Sequence, residues 1–320
     1  MIGRRGKVLI ILYIVCLVVL FLMCSTDLII REPEREIYHI AVIVEDVRSD
    51  NYANFRKGID QAASEFNADV HFITLYEKMD VEEQMELMDR EQQDGTDALI
   101  VVPAVEEKVA GKQMTVPVIL LRAGMTEAAG AGNIVVDYEK MGEQLAEEIL
   151  QDRKGDLPIY VLTDPAKQSD MDRMFLKGAC EWFASKGAAA KLVIREEENG
   201  FRTMFANLEA EEAKDVVVLA ANQEILTEAA GILSEGLTAA DSVSGLYGRG
   251  TTVPILNYLD RGMIKGICVT DEFSIGYYSV REAVRALEGA GSSPTVMASY
   301  YIEKEDLRNP DLEKLLFPIE

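Results

Sequence analysis

From Ile37 onward, short apolar runs rich in β-branched residues alternate with segments whose apolar positions recur at helical spacing. Residues 40–44 form an unbroken apolar run of strand length, as expected of a strand buried on both faces. Behind it, Phe55, Ile59, Ala62, Ala63 and Phe66 put one apolar stripe on a helix. A strand over 70–75, a helix carrying Val81, Met85 and Met88, and strands over 98–102, 116–121 and 134–136 complete a first series. A second series opens with a strand over 159–162 and a helix bearing Phe175, Ala179, Trp182 and Phe183. It continues through strands over 192–194, 216–219, 243–246 and 266–269. The polar stretch 151–157 separates the two. Such alternation predicts an α/β chain with two Rossmann-like halves built on parallel sheets. Doubly wound sheets take ligands at the carboxyl ends of their strands, so two of them facing each other predict a cleft lined by the residues just after each strand.

Ahead of this body, residues 8–26 carry no charge and are mostly Leu, Ile and Val. As a helix they span about 28 Å, the thickness of a bilayer's hydrocarbon core. Arg4, Arg5 and Lys7 precede the run and Asp27 is the first charge after it, so the positive-inside rule puts residues 1–7 in the cytoplasm and the bulk outside. A cleaved signal would end in small residues, whereas Phe21-Leu22-Met23 stands before Cys24. Met23 also occupies the place where a lipoprotein signal wants a small residue. An uncleaved anchor is therefore preferred to lipidation at Cys24, and both to a cleaved export signal. Residues 27–36 read as a polar linker.

The net charge is −23, and removing the three cations ahead of the apolar run leaves −26 on the remainder. A body this acidic repels phosphates, so nucleic acid is excluded as a partner. With only His39 and His71, a histidine-based catalytic or zinc site is hard to build. Cys180 and Cys268 fall inside an expected helix and strand and read as buried thiols. Serine-elbow, phosphate-loop and metalloprotease motifs are absent, and Gly130-Ala131-Gly132 precedes a strand where a dinucleotide fingerprint would follow one. Glu82-Glu83, Glu147-Glu148 and the run 196–198 read as solvated faces. Asp164, Asp170 and Asp172 crowd one loop without the spacing of a calcium site. No enzyme activity, metal or cofactor is expected.

Four stretches, in order, resemble the ribose-type branch of the type I periplasmic binding proteins over about 38–318. They are Ile40-Ala41-Val42-Ile43-Val44 with Phe55-Arg56-Lys57-Gly58; Thr96-Asp97-Ala98-Leu99-Ile100-Val101-Val102-Pro103; Val116-Pro117-Val118-Ile119; and Gly262-Met263-Ile264-Lys265-Gly266-Ile267 leading to Gly276-Tyr277-Tyr278-Ser279-Val280. The resemblance implies two lobes joined by three crossing segments, near Asp137, Thr270 and Met297, that close on a ligand like a hinge. Lobe one would then be 37–137 with 271–297, and lobe two 138–270 with 298–320. By the same resemblance Tyr52 stacks on a sugar ring, Arg173 and Asn222 bind ligand from lobe two, and Asp137 marks the first crossing. For Asn222 a helix N-cap is the competing role, for Arg173 a surface salt bridge, and for Asp137 a pin of the hinge. The chain departs from the family pattern where sugar binders carry acceptors: Arg122 follows the fourth strand, Tyr247 lies after Gly245, and Thr270-Asp271 stands at the second crossing. Arg122 with Arg173 would supply a donor fork for a carboxylate or phosphate, so a sugar-like ligand, anionic in one version, is expected. The partner implied is an ABC importer permease or a membrane histidine kinase. An enzyme on the same two-lobed scaffold is the rival reading.

Overall fold

The computed structural model describes residues 4–25, 37–44, 52–76, 80–121, 132–152, 157–210, 215–235, 242–291 and 294–317. The chain divides into two units, 1–37 and 38–320. Among the described residues the first holds one helix, α1 (Arg4–Ser25). Its stretch Arg4–Leu22 has a mean hydropathy of 2.5 and is long and apolar enough to cross a membrane, a character that signal sequences share.

The second unit opens with β1 (Tyr38–Val44), α2 (Ala53–Phe66), β2 (Ala68–Thr74), α3 (Val81–Gln93), β3 (Ala98–Val101), α4 (Glu106–Ala110), β4 (Val118–Leu121) and β5 (Gly132–Val136). Next come α5 (Tyr138–Asp152), β6 (Ile159–Thr163), α6 (Asp170–Ser185), β7 (Ala190–Ile194), α7 (Arg202–Ala210), β8 (Val216–Ala220) and α8 (Gln223–Ser234). The chain continues with β9 (Val243–Arg249), α9 (Val253–Asp260), β10 (Gly266–Thr270), α10 (Glu272–Leu287), β11 (Thr295–Met297), β12 (Ser299–Glu303), a 3-10 turn and α11 (Pro310–Leu316).

Two six-stranded sheets result, ordered β11-β5-β4-β3-β1-β2 and β12-β10-β9-β8-β6-β7. Every neighbouring pair is parallel except β10 with β12. This is the two-lobed α/β fold that the alternation of patterns predicts. Both sheets follow the same doubly wound order, whose switch point lies between β1 and β3 in one lobe and between β6 and β8 in the other. The central strands β1, β3, β8 and β10 are buried throughout or nearly so, as their unbroken apolar runs require. Helix α10 packs against α2 and the first sheet, and α5 against α6 and the second. The chain thus passes between sheets three times: after β5, after β10, and between β11 and β12.

Two elements differ from the sequence expectation. β11 is too short and too exposed to show a period, yet it pairs in register with β5, Thr295 opposite Ile134. β9 runs three residues beyond 246, because Gly248 and Arg249 interrupt the apolar pattern but still pair with Ile267 and Cys268 of β10.

Glycine lets the helix pairs approach. A Cβ on Gly58 of α2 would press into the carbonyl oxygen of Phe273 on α10, and one on Gly276 into that of Phe55. In the other lobe Gly142 of α5 faces the carbonyl of Phe175 and Gly178 of α6 that of Glu139. Each lobe therefore clamps two of its helices by the same reciprocal backbone contact.

Candidate functional site

At the carboxyl ends of the two sheets, where the doubly wound order puts a cleft, the lobes touch. The backbone N–H of Glu106, at the start of α4 in lobe one, donates to Asp170 Oδ2 at the start of α6 in lobe two, at 3.3 Å. Around this point several helices begin with a polar cap. Asp137 Oδ1 accepts from Lys140 N–H and starts α5, and Ser169 and Asp172 form a reciprocal capping box on α6. Asn222 Oδ1 accepts from Ile225 N–H on α8, and Asp271 accepts from both the N–H and the hydroxyl of Ser274 on α10. Strand ends followed at once by capped helices are what a doubly wound topology dictates, and they bring side chains distant in sequence to one edge.

The densest of these contacts lies in lobe two. The Asp172 carboxylate is buried; its Oδ2 accepts from Ser169 N–H and from Asn222 Nδ2, both at 3.1 Å, and its Oδ1 accepts from Arg249 Nη2. Arg249, the last residue of β9, also donates through Nε to the Ala221 carbonyl at 3.2 Å. Its guanidinium carbon lies 5.1 Å from the Tyr138 ring centre and 5.6 Å from that of Phe175, within reach of a cation–π contact with both. At the second crossing the Thr270 hydroxyl donates to Glu272 Oε1 at 2.7 Å. In lobe one Tyr52 is buried at the start of α2, its ring edge-on to Phe55 at 5.9 Å.

Asp137, Asn222, Thr270 and Asp271 therefore stand at the strand ends, Asn222 directly in the Asp172 network. Arg173 is exposed and paired with Asp170 at the mouth of the gap, the salt bridge weighed against its ligand role. Arg122 lies outside the described residues. Tyr247 is a correction. It is buried in mid-strand, and its hydroxyl donates to Asp152 Oδ2 at 2.6 Å, at the carboxyl end of α5. Asp152 also holds Lys265, the residue before β10, so Tyr247 points to the edge of the sheet away from the gap. Burial, then the Asp152 bond, pushes its phenol well above the usual range.

Asp172 and Arg249, the centre of this network, are not among the residues the sequence singles out for the site. Asp172 could have been found as the fourth position of a Ser-x-x-Asp capping box. Arg249 required the true end of β9, immediately before Gly250. Among the described residues no cluster of His, Cys, Asp and Glu could hold a metal ion.

A model of the periplasmic binding protein domain matches residues 40–291. No curated protein matches the chain. Among solved structures, a carbohydrate transporter solute binding protein from Agrobacterium radiobacter in complex with D-arabinose has 18% identity and a TM-score of 0.75, covering 88% of this chain and 99% of that one. An ABC transporter solute binding protein from Agrobacterium vitis with bound D-fucose has 16% identity and a TM-score of 0.74, with coverage of 87% and 100%. A putative LacI transcriptional regulator from Bacteroides fragilis, at 15% identity and a TM-score of 0.70, covers 85% of this chain and 99% of that one. At such identities the solved structures establish the fold alone. The matching family is one of binding domains and not of enzymes. By its strand order, its two lobes and the match over residues 40–291, the chain belongs to the periplasmic binding protein domain family.

Proposed function

We propose that the chain is an extracytoplasmic receptor of the ribose-type branch, held at the membrane by α1. It closes its lobes on a small sugar-like solute and presents that solute to an ABC importer permease or a membrane sensor kinase. The observation that supports this reading is the set of capped helix starts and polar side chains at the strand ends of both lobes, joined by the Glu106 to Asp170 bond. Dense donors and acceptors beside buried aromatic rings suit a polyhydroxylated ring, which offers hydroxyls at its edge and C–H groups on its faces. D-arabinose and D-fucose, bound in two of the similar structures, have this character. Tyr52 is assigned the stacking role, and Asp137, Asn222, Thr270 and Asp271 the polar contacts, with Arg173 exposed beside them. An acidic ligand, expected from Arg122 with Arg173, has less support, because Arg173 already holds Asp170.

Calorimetric titration of the full chain in detergent micelles with D-arabinose, D-fucose and D-galactose tests the reading. One of them should saturate, and at a concentration of about a hundred times its Kd should add about 2.7 kcal/mol of stability. Tyr52→Ala should weaken that binding by roughly ten-fold, the order of an aromatic contact. Failure of every monosaccharide to bind would refute the assignment.

A further inference from the structure

Arg249 stands at the end of β9 with its side chain largely enclosed by protein. Its side chain is 17% exposed and that of Asp172 is 5% exposed, whereas Arg173 is 61% exposed. Two fixed acceptors, the Ala221 carbonyl and Asp172 Oδ1, set the plane of the guanidinium, and the rings of Tyr138 and Phe175 lie beside it. Those contacts engage Nε and Nη2; among the described residues no protein acceptor takes Nη1. Asp172 is in turn engaged by three donors, so its carboxylate is occupied in holding Arg249 and Asn222. Asn222 has its oxygen on the α8 cap. The hydrogen-bonding capacity left over in this corner of lobe two is therefore N–H, which suits oxygen lone pairs.

The charge balance decides which oxygens. A lone arginine in a gap attracts carboxylate and phosphate, but one whose charge is met at contact by a buried carboxylate acts as an oriented donor with little net charge. An anionic ligand would compete with Asp172 for the same fork and meet Asp137, Asp170, Asp271 and Glu272 at the neighbouring strand ends. A hydroxyl or ring oxygen meets neither obstacle.

We propose that Arg249, rather than the exposed Arg173, is the specificity-determining donor of the cleft, and that its pairing with Asp172 selects a neutral hydroxyl-bearing ligand over carboxylate- or phosphate-bearing ones. The inference rests on the sugar-receptor reading and deepens it.

The test is calorimetry on the full chain in detergent micelles, with the probes D-arabinose, D-fucose, D-galactose against D-galacturonate, and D-glucose against D-glucose 6-phosphate. Each neutral sugar that binds should do so at least about ten-fold tighter than its acidic counterpart. Arg249→Gln should weaken neutral binding by about ten-fold or more, the loss of a hydrogen bond from a charged donor. Because that variant leaves Asp172 buried without its partner, Asp172→Asn is the companion. It keeps the shape, frees the guanidinium charge, and should raise the ratio of galacturonate to galactose affinity by about ten-fold. Tighter binding of an acid by the unmodified chain, or an unchanged ratio in Asp172→Asn, overturns the proposal while sugar binding itself stands. No saturable binding of any probe removes the receptor reading and this inference with it.

Discussion

At the scale of single residues, Tyr247 and Arg249 show how far strand-end reasoning reaches. Two positions apart on β9, they share a face of the strand, yet one hydroxyl bonds Asp152 at the far edge and the other side chain enters the Asp172 network at the near edge. Matching the family pattern after Gly245 therefore selects a side chain that points to the opposite edge. Tyr247→Phe should cost about 1 kcal/mol in a denaturant melt, the worth of one partly buried hydrogen bond, and leave sugar affinity unchanged. A loss of affinity would return Tyr247 to the cleft. Asn222 was legible because it directly follows a short apolar run, where both of its readings, cap and ligand amide, place it at the same edge. Asp172 was visible only as one of three crowded acids, since nothing local marks which carboxylate a fold will bury against an arginine.

Among the elements, the central strands and the amphipathic helices were readable from apolar period alone, because burial on one or two faces writes itself into sequence. β11 was not, for three residues carry no period, and its place is set by the sheet it joins. The glycine clamps were legible as positions but not as contacts, since only the folded pair reveals what a side chain would strike. Gly276→Ala should destabilise lobe one by about 2 kcal/mol, because the obstacle is the Phe55 carbonyl and backbone must move. Chemical denaturation measures it, and a change near zero would mean that α2 and α10 can slide apart. The short helix α4 has Val105 at its start and no side-chain cap of its own; Asp170 of the opposite lobe supplies one. Asp170→Ala should then speed release of bound sugar by about five-fold, the equivalent of roughly 1 kcal/mol, as read by stopped-flow dissociation. An unchanged rate would make that contact incidental to closure.

For the whole molecule, fold class followed from the rhythm of patterns, while lobe membership followed from the resemblance, since no local signal says that α10 returns to the first sheet or that β12 joins the second. The membrane expectation rests on α1, and fractionation tests it: the full chain should sediment with membranes at alkaline pH, and a chain starting at residue 27 should be soluble. Recovery of the full chain in the soluble fraction would favour a cleaved segment instead.

The third passage of the backbone between sheets sets a schedule for biosynthesis. The first sheet lacks its outermost strand until Met297 has been polymerised, and the long helix that shields it is itself encoded after residue 271. Neither lobe is contiguous along the polypeptide, so the usual order of maturation, amino-terminal domain first, is denied to this one. A nascent chain remains without a finished lobe for most of its synthesis, and a chain in that condition can still be threaded through a narrow secretion channel.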